Sequence, residues 1–297
     1  MKAERHSLLT DIKAAARIGH AESLWLALDG LFDLPEVAGN PPLNEAFIRQ
    51  MIFPIGEALA TPRVTRPMLY PLVSHDHAAI RAIAGTVIAK RYFEDEKVEV
   101  KELVVHGQDP RKDVRLAVVL ALSQAGADQP DKFQELIQNW LQWNSPRLQA
   151  VALQLLPSLA KQHPAISVEI LSDFQASGDP ELRTALVDCL VALAQGNLAD
   201  AVLTLLEGRV VDQGNNLWVI GKTLSRSWVV PYADRGIDIL SRLAEQHGPE
   251  KILIKALKAM QRHGAEHAIA EAVSKWQQDS NPNLLALAEQ MTERSGK

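Results

Sequence analysis

Trp218, Lys222 and Arg226 recur at i, i+4 and i+8, a spacing that lines an aromatic ring and two cations along one helix face. Lys251 and Lys255 follow 33 residues later, at the register of Trp218 and Lys222, and Lys258 and Arg262 extend the stripe. Cations beside one Trp have the chemistry to grip an acidic peptide, a phosphate backbone or an anionic headgroup. The plainer reading is a solvated face with Trp218 partly in the core. The surroundings sharpen the contrast. From His163 to Glu207 there are seven acids and one base, Arg183, while from Gly208 to Arg262 there are nine bases and five acids. Adjacent blocks of opposite sign give a bipolar surface.

Other reactive side chains carry less. His75, Asp76 and His77 are adjacent on a turn, and such neighbours rarely converge on one ion. His263 and His267 stand at i, i+4, but Gly264 between them weakens the helix that would align them. Cys189, the only cysteine, lies in an apolar column and reads as a small hydrophobe; it excludes an intrachain disulfide. Trp140, Trp143 and Trp228 read as packing between helices. No nucleophile elbow, Walker loop, Rossmann glycine pattern or HExxH appears. A non-enzymatic protein with no metal and no cofactor is the expectation.

The elements that hold these residues show a fixed period. Arg81, Arg115, Gln149 and Arg183 are each 34 residues after the last, and each follows an apolar residue: Ile80, Val114, Leu148 and Leu182. The columns Ile80, Ala84, Ile88; Val114, Val118, Leu122; Leu148, Ala152, Leu156; and Leu182, Leu186, Leu190 each place a trio on one helix face. Asp109, Ser145 and Asp179, each followed by Pro, are expected helix caps. Partner helices are expected over Val98 to Val105, Phe133 to Trp143, Ile166 to Phe174 and Leu198 to Leu206. Asn216 interrupts the column, which Ile220, Leu224, Leu253 and Leu257 resume. Strand signals are almost absent. A period in this range is the mark of a solenoid of helix pairs.

The apolar-Arg pair in IRAIA, VRLAV and LRTAL, with Asp-Pro upstream, resembles HEAT repeats, a family of the armadillo-like solenoids, over about residues 63 to 297. The spacing is shorter than that family's usual ~40–47 residues, and the tetratricopeptide signature of Trp, Gly and Tyr is missing. The resemblance implies an all-α, right-handed superhelix of about 12 to 14 helices. It also implies that Arg81, Arg115 and Arg183 build a polar ladder between repeats, broken at Gln149. Residues 1–62, with the loop Val37 to Asn44, read as an irregular helical cap on a single continuous solenoid over 63–297.

Two functions fit this reading. The first is a scaffold or adaptor that binds a protein or acidic peptide on its concave face through Trp218, Lys222, Arg226, Lys251 and Lys255. The second, a nucleic-acid partner, follows from a resemblance to HEAT-like alkylation-repair DNA glycosylases. Against it stand the net charge of −5 and the acidic block beside the basic one. HEAT-like lyases acting on chromophores have no specific residue in their favour. The sequence holds no run of about 20 apolar residues, and the expectation is a cytoplasmic protein without a membrane span.

Overall fold

The computed structural model describes residues 2–94, 100–175, 178–210 and 215–292, and these are helical with no strand among them. The chain divides into two compact units, Met1–Leu159 and Ala160–Lys297. The first holds α1 (Lys2–Ile18), α2 (Ala21–Asp29), α3 (Glu45–Phe47), α4 (Phe53–Leu59), α5 (Arg66–Val73), α6 (Ala78–Glu94), α7 (Val100–Gly107), α8 (Lys112–Ala125), α9 (Pro130–Gln142) and α10 (Pro146–Leu159). The second holds α11 (Pro164–Asp173), α12 (Pro180–Leu193), α13 (Ala199–Arg209), α14 (Asn215–Leu224), α15 (Ala233–His247), α16 (Lys251–Met260), α17 (Glu266–Trp276) and α18 (Pro282–Thr292). The helices from α5 onward fall into consecutive pairs, and the unit boundary lies between two pairs. The partner helices sit within a few residues of the expected spans, except that Val98 lies outside the described residues.

The apolar columns explain the packing. In the first unit α6 packs on α4 and α8, and α8 on α10. In the second, α12, α14, α16 and α18 pack successively in one row, and α11, α13, α15 and α17 in another. Val114, Val118, Leu122, Leu148, Ala152 and Leu156 are buried in the first unit. Leu186, Leu190, Ile220, Leu224, Leu253 and Leu257 are buried in the second. Each helix of a second-helix row thus covers its neighbour's apolar face, the arrangement that makes repeat stacking stable. Asn216 is also buried, and its Nδ2 donates to the Arg209 carbonyl at 3.5 Å.

Two helix caps match their sequence signals and one does not. Asp179 accepts from the Leu182 amide at 2.9 Å, and Pro180 opens α12. Removing that cap with Asp179→Ala should lower stability by about 1 kcal/mol in urea unfolding of the full chain. A change below about 0.3 kcal/mol would show the cap to be idle. Ser145 accepts weakly from Leu148, at 3.4 Å. Asp109 does not cap α8, which starts only at Lys112 with Arg111 at the cap position. Its carboxylate is instead occupied by Arg81 and by the Arg111 amide.

The loop Val37 to Asn44 is tied down by residues about 70 positions away. Arg111 donates to the Asn40 and Pro41 carbonyls, and the Leu43 amide donates to Asp113 at 2.7 Å. Asn40 adopts φ of +57° and its Oδ1 accepts from Ala78 at the start of α6. Burial disfavours the ionised Asp113 carboxyl, but hydrogen bonds from Arg111 and from the Leu43 amide outweigh this and hold its pKa below the ordinary value.

By length and composition alone, Pro180–Arg209 is long and apolar enough to cross a membrane, a test that the core helix of a soluble protein also meets. It is not one rod. Gly196 and Asn197 leave the helical region, with Asn197 at φ +74°, and the two halves become α12 and α13. Leu186, Leu190, Leu203 and Leu206 of this stretch are spent on the core.

Candidate functional site: a basic groove between two helices

Gly221 lets α14 and α16 approach closely. A Cβ there would lie 2.7 Å from Ile252 Cγ1, so a larger residue would push the helices apart. Where their surfaces diverge, a groove of about 520 Å³ opens. Lys222 and Ser225 form one wall, and Lys255, Arg262 and His263 form the other. Ala256 and Ala259 keep the floor low. On α16, Ile252, Lys255, Ala256 and Ala259 step by three or four and share one face, while Arg262 and His263 come from the turn that follows the helix.

No carboxylate lines the groove. Among the described residues, Lys222, Lys255 and Arg262 have no ion-pair partner. Arg262 is exposed, and its Nε donates to the Lys258 carbonyl at 3.2 Å, a bond that does not occupy its two terminal nitrogens. Two acids of the neighbouring block are engaged elsewhere. Asp200 and Glu207 on α13 both bind Arg235 of α15, at 3.1 and 2.9 Å.

The structure brings together part of the expected column and separates the rest. Lys222 and Lys255 face one groove. Trp218 does not line it: its half-buried ring carries the Arg183 guanidinium at 5.3 Å and Lys222 Nζ at 5.8 Å. Arg226 does not share the helix face of Trp218 and Lys222. The α14 helix ends at Leu224, and Arg226 is extended, with φ −97° and ψ 156°, ahead of the tight turn Ser227–Tyr232. Lys251 stands exposed at the first position of α16, outside the groove. His263 and Ser225 also line the groove and lie outside the expected column; the i+4 steps from Lys255 through Ala259 to His263 are the signal in the sequence. Gly264, at φ +116°, breaks the helix between His263 and His267, so the two rings do not share a helix face.

The expected ladder residues have three different fates. Arg81 Nε meets Asp109 Oδ2 at 2.7 Å, and its Nη1 donates to the His75 and Asp76 carbonyls at 2.8 Å. Buried Arg115 donates to the backbone carbonyl of Asp109, within its own helix pair. Arg183 lies over Trp218 and its buried Nε has no hydrogen-bond partner. The reason is visible in the chain. Asp109 stands 28 residues beyond Arg81, whereas the same offset from Arg115 is Trp143 and from Arg183 is Val211, which lies outside the described residues. Gln149, the apparent break, donates to the Leu141 carbonyl at the end of α9, at 2.9 Å. Arg209 does similar work unannounced by the period, donating to the Leu171 and Phe174 carbonyls at 2.6 and 2.7 Å.

The remaining candidates are structural, apart from Trp143, whose expected packing between helices is not found: it is 43% exposed. Burial pushes the Cys189 thiol pKa well up, which suppresses the thiolate. His77 Nε2 pairs with the Val37 carbonyl at 2.9 Å, and its Nδ1 accepts from the Ala79 amide at 3.2 Å. Both ring nitrogens are therefore occupied. Trp140 is fully buried, Trp228 donates to the Thr223 carbonyl at 3.1 Å, and Trp143 is exposed. Among the described residues no three His, Cys, Asp or Glu side chains gather as a metal site would require.

No family model matches the chain, and no curated protein matches it. Among solved structures, an engineered protein from a structural genomics programme is similar at 17% sequence identity over 95% of this chain and 94% of that one, with a TM-score of 0.31.

Proposed function

We propose that the protein is a HEAT-like, non-enzymatic adaptor that holds an acidic segment of another protein on the second-helix row of its C-terminal unit. The observation that carries this reading is the α14–α16 groove, where Lys222, Lys255 and Arg262 converge without one carboxylate partner. Most helical cations on a protein surface are scattered or paired; three left unneutralised at one concavity favour an anionic guest. Lys251 and Arg226 at its margins add long-range attraction.

The test is fluorescence anisotropy with a labelled Glu/Asp-rich peptide library. Lys222→Glu together with Lys255→Glu should weaken capture roughly tenfold or more and flatten its salt dependence, with the melting temperature unchanged. Unaltered capture by the double variant would reduce the groove to a wet helix surface. Tighter, steeply salt-dependent binding of duplex DNA at the same ionic strength would replace the acidic-peptide reading with a nucleic-acid one.

A further inference from the structure

We propose that the α14–α16 groove is a receptor for a phosphate monoester carried on the partner polypeptide, so that phosphorylation of the partner switches its capture. This rests on the adaptor reading above and specifies it. The first argument is charge. One carboxylate side chain brings a single negative charge and would leave most of Lys222, Lys255 and Arg262 unneutralised. A phosphate monoester brings about −1.5 to −2 charges at pH 7 and three strong acceptor oxygens. That matches three cations arriving from two sides of one concavity, with the free end of the Arg262 guanidinium suited to two oxygens at once.

The second argument is shape. Ala256 and Ala259 make the floor, so a tetrahedral group on a short side chain can descend between the two walls. The third is the limited extent of the positive surface. The neighbouring row helix α12 carries Glu181 and Asp188 against the single Arg183, and α18 carries Glu289 and no Lys or Arg. A duplex presents a charge about every 1.7 Å along its axis and calls for a long basic track. A patch two helices wide, flanked by helices with an acidic excess, suits one doubly charged group on a peptide.

The experiment compares a degenerate phosphoserine peptide library bearing Glu/Asp-rich flanks with its unphosphorylated counterpart, on the full chain at one ionic strength. The phosphorylated pool should bind about tenfold tighter or more, and inorganic phosphate should compete for that difference. Arg262→Gln, at an exposed residue whose Nε donates only to a helical carbonyl, should erase most of the preference. It should weaken capture of the unphosphorylated pool far less than capture of the phosphorylated one, and leave the circular dichroism spectrum unchanged. Equal affinity for the two pools would overturn the phosphate proposal and leave the acidic-partner reading standing. Failure of both pools to bind would overturn both. Preferential binding to phosphatidic-acid vesicles or to duplex DNA would also overturn it, by moving the phosphate to a lipid or a nucleic acid.

Discussion

Asp109→Ala should destabilise the N-terminal unit by about 3 to 5 kcal/mol, the range for stranding one member of a buried ion pair. Asp109 is 6% exposed and Arg81 16%, so the guanidinium left behind would have little water to turn to. The same carboxylate also accepts from the Arg111 amide at 2.9 Å, and Arg111 is the residue that fastens the Asn40–Pro41 segment. Loss of Asp109 therefore loosens α6, α8 and the N-terminal loop together. Urea unfolding, with hydrogen exchange on peptides from α6 and α8, separates this from a local effect. A loss below about 1 kcal/mol would mean that Arg81 finds compensation and that the pair is a surface bridge in energetic terms.

Acid should weaken the protein well above the carboxylate range, through His106. This ring is 1% exposed, lies against Gly85 of α6, and its Nε2 has no hydrogen-bond partner. Burial lowers its pKa from 6.5 to about 4; the nearby Asp109 carboxylate opposes that shift and Arg81 assists it. Between these values the unfolded chain binds a proton that the folded chain refuses. Stability is therefore fully present above pH 6.5 and is lost as pH falls toward about 4. At 1.36 kcal/mol per pKa unit the loss approaches about 3 kcal/mol. His77, lowered mainly by burial, acts in the same direction. The diagnostic is therefore the difference between wild type and His106→Leu. Urea unfolding at several pH values should give a markedly shallower slope for the variant between pH 6.5 and 4. Parallel slopes would show that His106 is not the titrating group. Asp113 enters only at lower pH: its contribution is full above the ordinary carboxylate value and is lost as pH falls from there through its depressed value.

The sequence made some of this structure legible and hid the rest for physical reasons. The apolar columns were readable because burial along a stacked row repeats with the period, and Leu148, Leu186 and Ile220 all lie where that period puts them. Polar chemistry obeys no such period. Arg81, Arg115 and Arg183 share a register, yet only Arg81 finds a carboxylate 28 residues onward, at Asp109; the same offset offers Arg115 only Trp143 and Arg183 only Val211. The basic column was readable as a charge pattern but not as a site. Its reading assumed that α14 continued through Arg226, and it passed over two features of a concave surface, the alanine floor and the close approach at Gly221. Cavities form where two helices diverge, and one helix's periodicity does not report on its neighbour.

The fastening of the Val37–Asn44 loop has a consequence for the order of synthesis. Its anchors, Arg111 and Asp113, are translated about 70 residues after the segment they hold. At about 5–20 residues per second, the ribosome delivers those anchors roughly 4 to 14 seconds later. During that interval α1 to α4 have emerged with their closing clasp still unmade. The segment Val37–Asn44 is thus locked only after its later-made anchors arrive, and that interval is the time in which a nascent-chain chaperone can hold it.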